Sequence, residues 1–279
     1  MDALGIECLS MFGLHPALHI RLAGELGCGH VSLSLHGAAN RLPQYFVHSI
    51  RDDAALRREI ITALAASGVQ VSLIEGFALG PETSARDLAG SLDIAAELGA
   101  RAICAISLDR DVARRHAEFA CLAEMAAQRG LLTTTEVGAG TLRNLDRAVE
   151  AVRQVGRSDF TLLLDTMHFF RSGAGLADLA ALDPGQIGHI QLCDVPMPAV
   201  LDQYMEEALF ERRCPGEGDL PLARFLSLVP AGVPIGLEVP IRSEAEVGTG
   251  PKQRLSRCVI AARGLLAQVH SSTPLGENL

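Results

Sequence analysis

The chain alternates two textures along its length. Short apolar runs, at 4–9, 29–36, 69–74, 102–107, 131–136, 160–165, 187–194 and 233–239, are separated by longer stretches whose apolar residues recur every three or four positions. The runs read as strands, because a parallel strand covered on both faces needs no polar alternation. The stretches read as helices: Leu56, Ile60 and Leu64 step by four, as do Leu88 and Leu92, while Leu142, Leu145, Val149 and Val152 step by three and four. Ser84 and Asp87 form a capping box, and Gly27, Gly68, Gly99, Gly130 and Gly156 stop helices just before the next strand. Strands and helices in this order predict an α/β fold, a (β/α)8 TIM barrel in one domain over residues 1–270, with a C-terminal tail at 271–279. A doubly wound open sheet is the runner-up, but neither a dinucleotide-binding glycine fingerprint nor a P-loop follows any strand. One segment breaks the rhythm. Residues 196–218 are too long and varied for a minimal turn, and loops of that length are usually lids or interaction surfaces, closing their own site or a neighbour's.

Polar residues at the strand ends change the picture from fold to chemistry. Glu136 ends the fifth run, Asp165 ends the sixth, and Gln191 and Glu238 lie at equivalent places near the ends of the seventh and eighth. A lone acid such as Asp165 reads first as a cap for the following helix. Four oxygen-bearing residues on successive strands share one mouth of a barrel, and three acids there repel one another unless a cation sits between them. An all-oxygen set suits a hard divalent ion, with Mn²⁺ expected and Mg²⁺, Co²⁺ or Zn²⁺ as substitutes; no organic cofactor is called for. His168, three residues after Asp165, is placed to touch a substrate hydroxyl. Arg212 is either a solvated loop charge or a lid cation reaching a substrate oxygen. His36, Glu75 and Ser107 end strands two, three and four and so should shape the far wall, with Phe12 and Phe77 as its apolar side. His189 shares a strand face with Gln191 and reads as a deeper polar group rather than a ligand.

Composition then removes alternatives. A formal charge of −9 argues against a nucleic-acid or anionic-membrane surface. Seven scattered cysteines without a CxxC pair suggest neither a zinc knuckle nor a disulfide framework, and suit a reducing cytoplasm. The first residues lack a basic-then-apolar leader.

The series Glu136, Leu-Asp165-Thr-x-His168, His-Ile-Gln191-Leu-Cys-Asp194, Arg212-x-x-Pro-Gly-x-Gly218 and Gly-Leu-Glu238-Val-Pro resembles the xylose-isomerase-like TIM barrels, the superfamily of sugar isomerases and epimerases that also contains endonuclease IV. The resemblance is nearest to hydroxypyruvate isomerases and ketose 3-epimerases. It implies that Glu136, Asp165, Gln191 and Glu238 bind one divalent metal, that His168 and Arg212 hold substrate, and that Glu136 and Glu238 exchange protons with it. Many members carry His at the place of Gln191, and HxKD where this chain has Gln-Leu-Cys-Asp; hydroxypyruvate isomerases carry Gln. The implied reaction is isomerisation or epimerisation of a sugar or keto acid through a metal-stabilised enediolate. A lyase or dehydratase acting on a keto-polyol or keto-glycoside would begin the same way and then expel a β-substituent. An endonuclease needs more histidines and a basic face. The expected partner is therefore a small molecule, with no nucleic acid and no membrane, and a homo-oligomer stays open.

Overall fold

In the computed structural model, which describes residues 4–272, eight parallel strands close into a barrel in sequence order, β1 next to β2 and so on until β8 pairs with β1. The strands are β1 (Leu4–Ile6), β2 (His30–Ser34), β3 (Gln70–Leu79), β4 (Ala102–Ser107), β5 (Leu132–Glu136), β6 (Phe160–Asp165), β7 (Ile187–Leu192) and β8 (Ile235–Leu237). Helices between them cover the outside, as right-handed crossovers between parallel neighbours require. The expected (β/α)8 barrel is thus the fold. Asp87 closes the expected capping turn by accepting from the backbone N–H and the hydroxyl of Ser84, at 2.8 and 2.7 Å. Helices Ala54–Ser67 and Leu145–Val155 end on Gly68 and Gly156 with φ of 69° and 65°, left-handed values that glycine adopts without a Cβ clash.

The differences lie at strand ends. β1 stops at Ile6 and passes into a 3-10 turn, Cys8–Met11, while β8 keeps only its three central residues. β3 runs on past the expected end to Leu79, with an irregularity in its pairing to β4 between Ile74 and Phe77, so Glu75 lies within that strand rather than at its tip. The last helix, Pro251–Ser272, runs through residue 270, and residues 273–279 of the expected tail lie outside the described residues. No helix among the described residues is long and apolar enough to cross a membrane.

The barrel buries two unlike interiors. Between strands and helices lies one continuous apolar core containing Ile6, Leu33, Ile74, Ile103, Phe119, Phe160 and Leu164. Inside the barrel the apolar filling is small: Leu73, Ala102, Cys104 and Leu163, with Ile106 against them, all from β3, β4 and β6. The opposite wall, from β1, β2 and β7, is polar, with buried Glu7, His30, Ser32, His189 and Gln191. Glycine makes room for it. A Cβ on Gly236 would lie 1.5 Å from Glu7 Oε1, and one on Gly5 would lie 2.1 Å from the His30 ring.

Candidate functional site

Strand register delivers the expected residues to one end of the barrel. Asp165 on β6 stands opposite Gln191 on β7, and Gln191 stands opposite Gly236 of β8, two residues before Glu238. Ser10 fixes the backbone around Glu238 by donating to Leu237 O at 2.9 Å and accepting from Val239 N–H at 2.7 Å. A cavity of about 390 Å³ opens above these strands, lined by Glu75, Glu136, His168, Gln191, Arg212 and Glu238 among others. Asp165 is fully buried and does two jobs. One oxygen accepts the His168 backbone N–H at 2.9 Å and caps the helix Thr166–Arg171, while the other meets Arg212. The cap and the site are therefore the same carboxylate.

Arg212 is not a solvated loop charge. Its side chain is buried and ion-paired to Asp165 and, at 2.9 Å, to Glu238, and its Nε donates to Ala208 O at 2.8 Å. Asp194 explains how a loop residue arrives so deep: its carboxylate accepts from the N–H groups of Val195, Gly216 and Leu220 at 2.9 to 3.1 Å. The backbones of Asp194 and Arg213 pair at 2.8 and 3.0 Å, and Arg212 N–H donates to Pro240 O at 2.9 Å. The excursion 196–218 is thus gathered back onto the ends of β7 and β8.

Two further residues enter that the motif reading passes over. Glu7, just after β1, is fully buried and accepts from His189 Nε2 at 2.9 Å and from Gln191 Nε2 at 3.4 Å. Its signal was present, an acid inside the apolar run that opens the chain. The Gln191 amide also donates to Glu75 at 3.3 Å and Glu238 at 3.1 Å, so one side chain bridges three carboxylates. Tyr204, from the helix Tyr204–Phe210 in the long excursion, hydrogen-bonds His168 Nδ1, while His168 Nε2 lies 3.5 Å from Glu136. Nothing in the sequence ties an aromatic at 204 to a histidine at 168. His36 falls outside the cavity: β2 ends at Ser34, the chain turns to pair residue 36 with Ser49, and the His36 side chain is exposed. Phe77 lines the cavity, whereas Phe12 packs in the core under the Arg254 guanidinium. His189 is a deep polar group, as its strand face predicts.

Electrostatics show what the arrangement lacks. Burial, with the charges of Asp165 and Glu75, pushes the Glu136 carboxyl up to about 8. Burial and the Glu7 charge raise Glu75 to about 7, and burial lifts Glu238 well above the carboxylate range even beside Arg212. Asp165 goes the other way, to about 2: burial opposes its ionisation, but the charges of Arg212 and His168 and the hydrogen bonds it accepts outweigh that. His168 is held down to about 4 by burial and by Arg212, and is neutral near pH 7. Burial also raises the thiols of Cys104 and Cys193, so neither offers a thiolate nucleophile.

The cavity thus holds more buried carboxyl groups than Arg212 alone can neutralise, and raised acids mark that deficit. A divalent cation is the natural remedy. Oxygen atoms dominate the donor set, the Gln191 amide can offer an oxygen as readily as its NH2, and Glu136, Asp165 and His168 already bring one donor atom each within 4.8 Å of one another. The residues present fit a divalent ion.

Residues 20–257 match a family model described as xylose isomerase-like TIM barrel. No curated protein sequence matches. Among solved structures, the IolI protein with a bound zinc atom superposes with a TM-score of 0.74 at 18% identity, covering 97% of this chain and 98% of that one. A D-psicose 3-epimerase crystallised in the presence of D-fructose gives 0.68 at 18%, covering 97% and 99%. A probable 3-DHS dehydratase, AsbF, from Bacillus anthracis gives 0.70 at 15%, covering 94% and 99%.

Proposed function

Because the chain belongs to the xylose isomerase-like TIM barrel family, we propose that it is a divalent-metal-dependent isomerase or epimerase of a small sugar or keto acid. Glu136, Asp165, Gln191 and Glu238 would hold the ion, with Mn²⁺ the expected one. Bound there, a divalent cation supplies Lewis-acid stabilisation to the oxygens of a hydroxycarbonyl substrate.

This chain's own residues supply the rest. Glu136 ends β5 and Glu238 directly follows β8, with β6 and β7 between them, so they can flank a substrate carbon from two sides. One carboxylate removes the proton on that carbon to give an enediolate, and the other returns a proton to the neighbouring carbon or to the opposite face. Without the ion, burial raises both carboxyls, Glu136 to about 8, and the charge of a cation held beside them would lower them toward the ionised form that a base needs. Neutral His168, oriented by Tyr204, presents Nε2 toward Glu136 and can bond a substrate hydroxyl. Arg212 gives a fixed positive charge beside Asp165 and Glu238 and lines the cavity, where it can meet a substrate oxygen. A volume of about 390 Å³ suits a ligand the size of a small sugar.

The observation that carries this reading is the geometry: Glu136, Gln191 and Glu238 line one cavity together with His168 and Arg212. The test is incubation of the Mn²⁺-loaded protein with keto-sugars and keto acids in D2O. Solvent deuterium appearing at the carbon next to the carbonyl of an isomerised product supports the proposal. Loss of water or an aglycone instead assigns the lyase branch, and failure to bind divalent ions by calorimetry and elemental analysis defeats both.

A further inference from the structure

A second cavity, of about 570 Å³, lies beside the first on the outer side of the loop that follows β5. It is lined by Arg110, Arg115, Arg143 and Arg147, with Thr141 and one acid, Glu150. The two cavities share no lining residue, although Gly138, Ala139 and Gly140 face the first and Thr141 the second. That wall is pinned: the backbone N–H and the hydroxyl of Thr141 donate to Ser107 O at 2.8 and 2.9 Å.

Four arginines in so small a space call for counter-charge, and the cavity lining supplies one acid, Glu150, against the four. Among the described residues none of the four forms an ion pair with a carboxylate. Two acids of the loop after β4 are engaged elsewhere. Asp109 is bound to Arg114 at 2.7 Å, and Asp111 caps the helix Val112–Ala127 through the Arg114 N–H at 2.9 Å. Position makes the crowding costlier still. Arg115 and Arg147 stand in the first turns of the helices Val112–Ala127 and Leu145–Val155, where the helix dipole disfavours cations and favours anions. Arg115 is the telling residue: it is only 5% exposed, and its buried Nε has no hydrogen-bond partner. A buried N–H left without a partner is unfavourable, and an acceptor brought by an external ligand would satisfy it.

We propose that Arg110, Arg115, Arg143, Arg147 and Thr141 form a second binding site, for a phosphate-type dianion, distinct from the carboxylate cavity. A dianion with several acceptor oxygens matches planar guanidinium forks. Bound there, it braces the wall formed by residues 138–141 from behind. The site does not depend on the metal-centre reading.

The test is calorimetric titration of the full-length protein with inorganic phosphate and, separately, with methyl phosphate, repeated on Arg143→Gln and Arg147→Gln. These exposed positions spare the fold, whereas Arg115→Gln, being buried, is added only if it retains the wild-type circular dichroism. Binding of either probe that weakens about tenfold with each exposed variant supports the site, and a preference for methyl phosphate identifies an ester rather than the free ion as its ligand. Binding that survives both arginine variants but is lost on His168→Ala belongs to the other cavity and overturns the proposal. Absence of binding, or arginine variants that alter only the oligomeric state by light scattering, overturns it in favour of a protein contact.

Discussion

Arg212 shows how much a single side chain decides here. With 2% exposure and two acidic partners, it is the only guanidinium among the described residues that lines the carboxylate cavity. Replacing it by alanine leaves the ionised Asp165 buried without its counter-charge, and removing one partner of such a buried pair typically costs about 3–5 kcal/mol. Urea unfolding of the metal-free Arg212→Ala protein should show a loss of that size, and added Mn²⁺ should recover more stability in the variant than in wild type. Glu136 makes a different prediction. Glu136→Gln keeps the shape and removes the base, so turnover should fall by roughly 10²–10⁴ while the fold stays intact, checked by steady-state kinetics beside circular dichroism.

At the scale of elements, the excursion 196–218 carries more of the site than its irregular sequence suggests. Asp194 is its anchor, holding three backbone N–H groups. The Arg171 to Glu207 pair, at 2.8 and 2.9 Å, ties its helix to the one after β6. Asp194→Ala leaves those buried donors unsatisfied, at about 1–3 kcal/mol for each that finds no water. Thermal unfolding should show that loss. Because Arg212 and Tyr204 are delivered by the same segment, KM should rise together with a fall in kcat, and limited proteolysis should cut within 196–218 in the variant first.

For the whole molecule, the raised acids set a pH dependence whose sign can be worked out. Glu75 and Glu136 hold protons in the metal-free folded state up to about 7 and about 8, against an ordinary value of 4.5. Above 4.5 the folded protein therefore binds more protons than the unfolded chain at these groups, and their contribution to stability is lost as pH rises through those values. His168 and His19, lowered from 6.5 to about 4, act oppositely, but their effect is complete above 6.5. Between pH 6.5 and 8 the acids act without that opposition. The melting temperature of the metal-free protein should fall across that window, and saturating Mn²⁺ should flatten the slope, because a bound ion keeps the carboxylates ionised. At a hundred times its dissociation constant, an ion binding only the folded state should add about 2.7 kcal/mol.

Periodicity determined a parallel α/β fold, because the eight apolar runs and the helices between them are local patterns, and the number of runs, with no nucleotide-binding fingerprint after any of them, favoured the closed barrel that is found. Strand order then brought Glu136, Asp165, Gln191 and Glu238 to one mouth, since register along a sheet follows from where each run ends. What sequence could not decide was everything that depends on a chain leaving its strand. Glu75 sits within a strand that runs on, His36 turns outward after β2 ends, and Arg212 and Tyr204 reach the cavity only because Asp194 folds a long loop back over it. The reason is physical. Strand and helix geometry repeats with a fixed period that residue type announces, whereas a loop's path is set by long-range hydrogen bonds and ion pairs that exist only once the barrel has closed.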